Sequence, residues 1–237
     1  MIITATTIDI SQPKTGSTWR RRCLAPIIGA ETNFLDGKEY RNGHVPLHRF
    51  SSAALEGRTV RAVVRNPWDW YVSTWCHMRG SVAKSSQIRR QFTLWAGGRE
   101  PTWESVLYGW THPWELEALP DREDAVYNPG TAASRFRRTC NGLWTWHTSW
   151  FHGIAMCSVW PPVRIDSAQQ VEAYAALYPE HADAIRAQAP INVGTTDGEW
   201  WTPERVRWVE EADDFLSRRF GYDGPGAVSS RGPMWRL

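Results

Sequence analysis

The chain has 237 residues, with 27 Lys and Arg against 25 Asp and Glu and a formal net charge of +2. This length suits one sizeable core, so we expect a single domain over residues 1–237, and the near balance of charges argues against a broad nucleic-acid-binding surface. The chain has neither a long apolar run nor a charged and apolar leader, which argues against a membrane span and favours a cytoplasmic protein, with the oligomeric state left open.

The first predicted elements are a strand, a loop of small residues and a helix. Residues 2–10 are rich in Ile and Thr, which favours a β-strand, and a basic segment that favours a helix begins near residue 20. The loop between them reads Pro13-Lys14-Thr15-Gly16-Ser17-Thr18-Trp19. Strand, loop and helix in this order aim backbone N–H groups at a phosphate. The nucleotide-hydrolysing version of such a loop ends in Gly-Lys-Ser/Thr, whereas here the lysine comes first.

A second strand and helix carry another pattern suited to an anion. Residues 60–64 predict a buried strand that runs directly into Arg65-Asn66-Pro67-Trp68-Asp69-Trp70-Tyr71-Val72-Ser73. Arg65 would offer a planar fork of N–H donors that matches a phosphate dianion. Pro67 suits an early helical position, so we expect a helix over about 67–78 with the Ser73 hydroxyl two turns along it.

Together these two patterns resemble the signature of sulfotransferases that use 3′-phosphoadenosine 5′-phosphosulfate (PAPS). The lysine-first loop is similar to the family's 5′-phosphosulfate loop, and Arg65 with Ser73, eight residues later, is similar to its 3′-phosphate motif. The resemblance covers the N-terminal third of the chain, and the short interval between the motifs leans towards the carbohydrate-type and bacterial branches. It implies an α/β fold of three layers, like that of P-loop NTPases, with a central parallel sheet flanked by helices.

The resemblance also implies roles for individual residues. Lys14 would be the catalytic cation at the leaving phosphate, and the N–H groups that follow it would form a cradle. Trp19 would stack on the adenine or else belong to the core, and no dissociable metal is expected. The cofactor-binding residues implied in this way are Lys14, Thr15, Gly16, Ser17, Thr18, Trp19, Arg65 and Ser73.

A histidine between the two motifs is the predicted base. Imidazole titrates near working pH and can take a hydroxyl proton, and several carbohydrate sulfotransferases carry a catalytic histidine in a similar place. His44 is the first candidate and His48 the second, although either could be a loop histidine with a satisfied hydrogen bond. Asp69, at a predicted helix N-terminus, is better explained as a capping charge than as a base.

Two further segments are read from local signals. Ser167 predicts the cap of a helix reaching about Gln188, and Thr202-Pro203 predicts the start of the last helix, with Gly221 just past its end. The inward positions expected on these two helices are Val171, Tyr174, Leu177 and Ala184, then Val206, Val209, Ala212, Phe215 and Leu216.

The tryptophan, cysteine and C-terminal residues leave alternatives open. Of 16 tryptophans, those within 144–160 could form an aromatic wall for an acceptor or a core helix. Arg231-Gly232 is similar to the basic segment that closes over the 3′-phosphate in cytosolic family members, or is a disordered tail.

The scattered cysteines form no CxxC pair, which favours reduced thiols over one disulfide and supports no zinc site. They are Cys23, Cys76, Cys140 and Cys157.

From the sequence we expect an enzyme that moves a sulfuryl group from PAPS to a hydroxyl or amine of a carbohydrate or small-molecule acceptor. The expected reaction is an in-line displacement with a histidine base. The alternatives are a P-loop nucleotide or small-molecule kinase and a non-catalytic nucleotide-binding module. A kinase would need a lysine after the second glycine of the loop and a carboxylate for Mg²⁺. Intact Lys14 and His44 speak against a non-catalytic module.

Overall fold

A computed structural model of the chain describes residues 1–32, 34–35, 38–39, 44–82, 86–116, 142–152, 163–188 and 200–236. The contacts divide the chain into two units, each assembled from separate stretches of sequence. The first unit comprises Met1–Asn66, Thr148–Val193 and Val228–Leu237, and the second comprises Pro67–His147 and Gly194–Ala227. A single functional domain over 1–237 therefore stays a prediction.

The first unit contains a six-stranded mixed sheet of order β3-β1-β2-β6-β7-β8. Its strands are β1 (Ile2–Ile3), β2 (Thr7–Ser11), β3 (Glu31–Thr32), β6 (Thr59–Val64), β7 (Val163–Asp166) and β8 (Met234–Arg236), while β4 (Phe34–Leu35) and β5 (Lys38–Glu39) form a separate pair. In the centre, β2, β6 and β7 run parallel, whereas β1, β3 and β8 pair antiparallel with their neighbours. The α/β class is confirmed, but the sheet is mixed rather than parallel.

Alternation along the parallel strands gives the sheet two apolar faces. Ile8, Ile10 and Ala62 belong to one core cluster, together with side chains from the turn Leu47–Arg49 and helix α2 (Ser52–Leu55). Val63 and Ile165 belong to a second cluster, which packs against helices on the other face. These helices are α1, a run made of Ser17–Trp19, the π-helical Arg20–Leu24 and Ala25–Ile27, then α7 (Gln170–Leu177) and α8 (Ala182–Arg186).

The regular elements described in the second unit are helices, and their core is aromatic. The helices are α3 (Pro67–Val82), α4 (Ser86–Trp95), α5 (Trp103–Thr111), the first part of α6 (Leu143–Phe151) and α9 (Pro203–Phe220). The buried Trp, Tyr and Phe side chains of this unit, among the described residues, are Trp68, Trp70, Tyr71, Trp75, Phe92, Trp95, Trp110, Trp144, Phe220 and Tyr222. Burial of tryptophan in this core accounts for much of the unusual composition, and it assigns Trp144 to the core rather than to a ligand wall.

The predicted start and end of α9 are confirmed. The Thr202 side chain accepts a hydrogen bond from the Arg205 N–H, Pro203 is the first helical residue, and Gly221 adopts a left-handed conformation at the end. Of the five predicted inward positions on this helix, Phe215 is wrong, because its side chain is 57% exposed. None of the helices in the described part of the chain combines the length and apolar character that crossing a bilayer requires.

The helix predicted over 167–188 is interrupted. Asp166, not Ser167, provides the cap, because its carboxylate accepts the Ala168 N–H at 2.9 Å. After the turn Ser167–Gln169, α7 ends at Leu177, and the turn Pro179–His181 separates it from α8. Proline lacks the N–H that a continuous helix would need. Ala184, predicted to face inward, is exposed.

Candidate anion-binding site

Three connections meet at the carboxyl edge of the parallel strands. The register pairs Ser11 of β2 with Val63 of β6, and Val64 of β6 with Asp166 of β7. The loop after β2, Arg65 after β6 and the turn after β7 therefore leave the sheet side by side. This edge is where open α/β sheets place their ligands, because loops from several strands converge there.

The loop after β2 has an unusual backbone. Lys14 has φ 68° and Gly16 has φ 78°, and Lys14 is the one residue other than glycine with positive φ among those described. A left-handed conformation costs a residue with a Cβ atom roughly 1–2 kcal/mol. Left-handed residues that alternate with ordinary ones turn successive N–H groups towards one side, which forms an anion-binding concavity. The backbone of the predicted phosphate loop thus has the form that such a loop needs.

Hydrogen bonds to the backbone carbonyl groups of three loop residues hold the loop in shape. Thr15 Oγ1 donates to the carbonyl oxygen of Gln12 at 2.7 Å. Arg65 Nη1 donates to the carbonyl oxygen of Lys14 at 3.0 Å, and Arg20 Nη1 donates to that of Thr15 at 2.8 Å. Side-chain donors therefore hold the loop through its carbonyl oxygens, and these bonds do not use its backbone N–H groups. The Arg65 bond also joins the two predicted anion-binding motifs directly.

Several charged side chains are buried in the first unit near the loop. Arg20 is fully buried, and burial lowers the pKa of its guanidinium. Asp9 is buried as well and accepts a hydrogen bond from the Tyr174 hydroxyl at 2.8 Å, while its other oxygen lies 3.9 Å from Arg61 Nε. Burial raises the pKa of Asp9, although Arg61 and the Tyr174 hydrogen bond oppose that shift. Of the two buried guanidinium groups, that of Arg61 lies beside this carboxylate, whereas that of Arg20 is bonded to the loop.

A second carboxylate at the same edge is already engaged by backbone donors. Asp166 is fully buried and accepts the Ala168 N–H at 2.9 Å and the Ser229 N–H at 2.7 Å. These bonds tie the C-terminal segment to the end of β7, and the backbone N–H of Asp166 donates to the carbonyl oxygen of Pro233. The segment before β8 is therefore ordered and not a disordered tail. A contact of Arg231 with a 3′-phosphate stays a prediction.

The loop residues differ in exposure. Lys14, Gly16 and Thr18 are half-buried, whereas Thr15 and Ser17 are buried. Trp19 is only 1% exposed and packs against Tyr174, with ring centroids 6.2 Å apart. The structure thus places Trp19 in the core, and an adenine ring could stack on it only after a local rearrangement.

The structure shows where three other predicted residues lie, and their proposed roles stay predictions. His44 is half-buried and is followed by Val45 and Leu47, which belong to the core. The sequence context of residues 40–43 and the side chain of His48 lie outside the described structure. Ser73 is half-buried on α3, in the second unit. Asp69 lies in the first turn of α3, where a capping charge is expected, and it accepts the Gly226 N–H at 3.2 Å.

Sequence reasoning missed several residues that support the loop. Gln12 is buried, and its amide exchanges hydrogen bonds with the Thr148 hydroxyl at 3.1 and 3.3 Å. Arg20 could be seen only as part of a basic run, and Gln170, which lies against Gly16, carried no signal. Within the described ranges no group of three or more His, Cys, Asp or Glu is placed to hold a metal ion, and Cys23 and Cys76 are free thiols.

Comparisons of the chain with protein-family models, with curated proteins and with solved structures find no match.

Proposed function

We propose that this chain is a PAPS-dependent sulfotransferase with a P-loop-like fold. The observation that carries the proposal is the bond of 3.0 Å from Arg65 Nη1 to the carbonyl oxygen of Lys14. It joins the lysine-first loop, at the end of one parallel strand, to the arginine that ends the neighbouring strand. Two motifs found separately in the sequence thus form one cationic site at the edge where α/β sheets bind nucleotides.

The proposed reaction uses the residues of this site in named roles. An acceptor oxygen or nitrogen attacks the sulfur of PAPS while the bond from sulfur to the bridging phosphate oxygen breaks. Lys14 and the N–H groups of the loop stabilise the charge that grows on that oxygen, so 3′-phosphoadenosine 5′-phosphate (PAP) leaves with the electron pair. His44 takes the proton of the acceptor. Arg65 and Ser73 would bind the 3′-phosphate, and no metal takes part.

A binding experiment tests the cofactor. Calorimetry should show that the protein prefers PAP to ATP with Mg²⁺, and that Arg65→Ala weakens PAP binding at least about tenfold, or 1.4 kcal/mol. The matched control is Arg58→Ala, since Arg58 precedes the same strand at its opposite end and donates to the carbonyl oxygen of Ala54. A preference for ATP would instead favour a P-loop kinase, and an Arg65→Ala protein that binds PAP normally would refute the assignment.

Because Arg65 also holds the loop, the experiment needs a second ligand. Adenosine 5′-phosphate lacks the 3′-phosphate but still occupies the loop. If Arg65 binds the 3′-phosphate, Arg65→Ala should weaken PAP binding more than binding of adenosine 5′-phosphate. Equal losses would mean that Arg65 acts only through the carbonyl group of Lys14.

Turnover separates an enzyme from a non-catalytic binding module. Release of PAP from PAPS should require an acceptor, screened as carbohydrate hydroxyls, phenols and amines. His44→Ala should lower kcat by about 10²–10⁴-fold while PAP affinity is retained, as expected for loss of a general base. Tight PAP binding without turnover on any acceptor would favour the binding module.

A further inference from the structure

The side chain of Gln170 lies against the phosphate loop. A Cβ atom built on Gly16 would come within 2.4 Å of Gln170 Nε2 and 2.8 Å of its Oε1, so the amide occupies the space next to this glycine. Gln170 is the first residue of α7 and is half-buried, which leaves it accessible to a ligand. It thus brings a polar group from the connection after β7 to the loop that follows β2.

Arg20 fixes the orientation of this amide. Its Nη1 atom donates to the carbonyl oxygen of Thr15 at 2.8 Å and lies 3.4 Å from Gln170 Oε1. A guanidinium group can only donate, so the amide oxygen must face Arg20. The amide nitrogen then faces Gly16, where its N–H groups point at the loop. Arg20 is fully buried and cannot easily change this arrangement.

We propose that Gln170 Nε2 donates a hydrogen bond to the phosphate or sulfate group held by the loop, and that Arg20 is the positioning residue for this contact. That the loop holds such an anion, and that the anion is the 5′-phosphosulfate of PAPS, both rest on the proposed function. Gln170 would add a neutral donor to the cations Lys14 and Arg65. It would make the connection after β7 part of the nucleotide site.

Gln170→Glu is the variant that tests the proposed hydrogen bond most directly. It keeps the shape of the side chain and an oxygen that faces Arg20, so the fold should survive with an unchanged or raised Tm. It removes the N–H donor and places negative charge beside the bound anion. Calorimetry should show at least tenfold weaker binding of PAP and of inorganic pyrophosphate. Gln188→Glu is the control, because it makes the same chemical change at a side chain that donates an exposed hydrogen bond to the carbonyl oxygen of Ala184, away from the loop.

The two probes keep the inference separate from the proposed function. If the wild type binds pyrophosphate but shows no preference for PAP, the sulfotransferase proposal fails, and the effect of Gln170→Glu on pyrophosphate still decides the role of Gln170. Unchanged binding of both probes by Gln170→Glu would overturn the inference. A wild type that binds neither probe would overturn both proposals.

A double-mutant cycle tests the positioning role of Arg20. Gln170→Met removes the donor without adding charge and should weaken pyrophosphate binding about threefold to tenfold, the size of one neutral hydrogen bond. Arg20→Lys keeps the charge but not the fork that reaches both partners. If Arg20 acts through Gln170, Arg20→Lys should weaken binding in the wild type and have less effect in the Gln170→Met background. Strictly additive losses would refute the coupling.

Discussion

Replacing Asp213 with Asn tests whether one buried carboxylate makes the stability of the second unit depend on pH. Asp213 lies on α9 and is fully buried. Its Oδ2 accepts the Tyr71 hydroxyl at 2.8 Å, and its Oδ1 accepts the Thr145 N–H at 2.8 Å. Burial raises the pKa of Asp213 to about 6, even though both hydrogen bonds favour the charged form.

The sign and size of the effect follow from this pKa. The value in the folded chain, about 6, lies above the ordinary value of 3.8, so between these values the folded state binds more protons than the unfolded state. Stability is therefore highest below pH 4 as far as this group is concerned, and it falls as pH rises towards 6. The gap corresponds to about 3 kcal/mol, since one pKa unit is worth about 1.36 kcal/mol.

Urea unfolding of the wild type and Asp213→Asn at pH 4, 5, 6 and 7 measures the effect. Asn cannot titrate, so the free energy of unfolding of the variant relative to wild type should rise by about 2.4 kcal/mol between pH 4 and pH 7. Loss of the accepted Tyr71 bond adds an offset of about 1–3 kcal/mol that does not depend on pH. The control is Asp214→Asn on the same helix, at a side chain that is 47% exposed. A difference that stays flat, or that falls with pH, would refute the reasoning.

Two further predictions concern the backbone. Gly109→Ala should destabilise the second unit by about 3 kcal/mol in denaturant unfolding, because the new Cβ atom would lie 1.9 Å from the carbonyl oxygen of Trp95. The control is Gly80→Ala, which places its Cβ where no atom lies within 4 Å and should stabilise the unit by about 0.5–1 kcal/mol. Equal effects of the two variants would contradict the packing at Gly109. Lys14→Gly should leave the free energy of unfolding unchanged or raise it by roughly 1 kcal/mol, since φ is 68° at this position, but should abolish PAP binding in calorimetry. A parallel loss of stability would show that Lys14 has a structural role instead.

Local signals predicted the parts of the fold that depend on neighbouring residues. The strand at 60–64, the helix that starts at Pro67 and the helix capped by Thr202 all follow from side chains within a few positions of each boundary. The mixed sheet could not be predicted in this way. Its antiparallel strands β1, β3 and β8 have only two or three residues. These are too few for an alternating pattern, so their pairing is decided by the sheet that they join.

In the candidate site, too, residues with a local sequence signal could be predicted and residues without one could not. The lysine-first loop and Arg65 could be recognised because their residues are consecutive or close to a strand end. Gln170 could not, because it meets Arg20 across 150 positions and no local pattern marks it. Trp19 was ambiguous for a related reason. A tryptophan beside a loop can serve a ligand or the core, and only the packing of Tyr174 against its ring assigns it to the core.

The strained loop and the buried charges beneath it are more easily explained together than separately. A left-handed lysine and the buried guanidinium group of Arg20 would each lower the stability of a purely structural loop. Both features would become favourable with a bound anion, because the loop N–H groups would gain an acceptor and the Arg20 charge would gain a counter-charge. Strain that persists where the surrounding contacts enforce it is characteristic of binding sites. The Arg20 and Arg65 bonds to the loop carbonyl groups supply this enforcement, which supports the proposal that an anion binds at this edge.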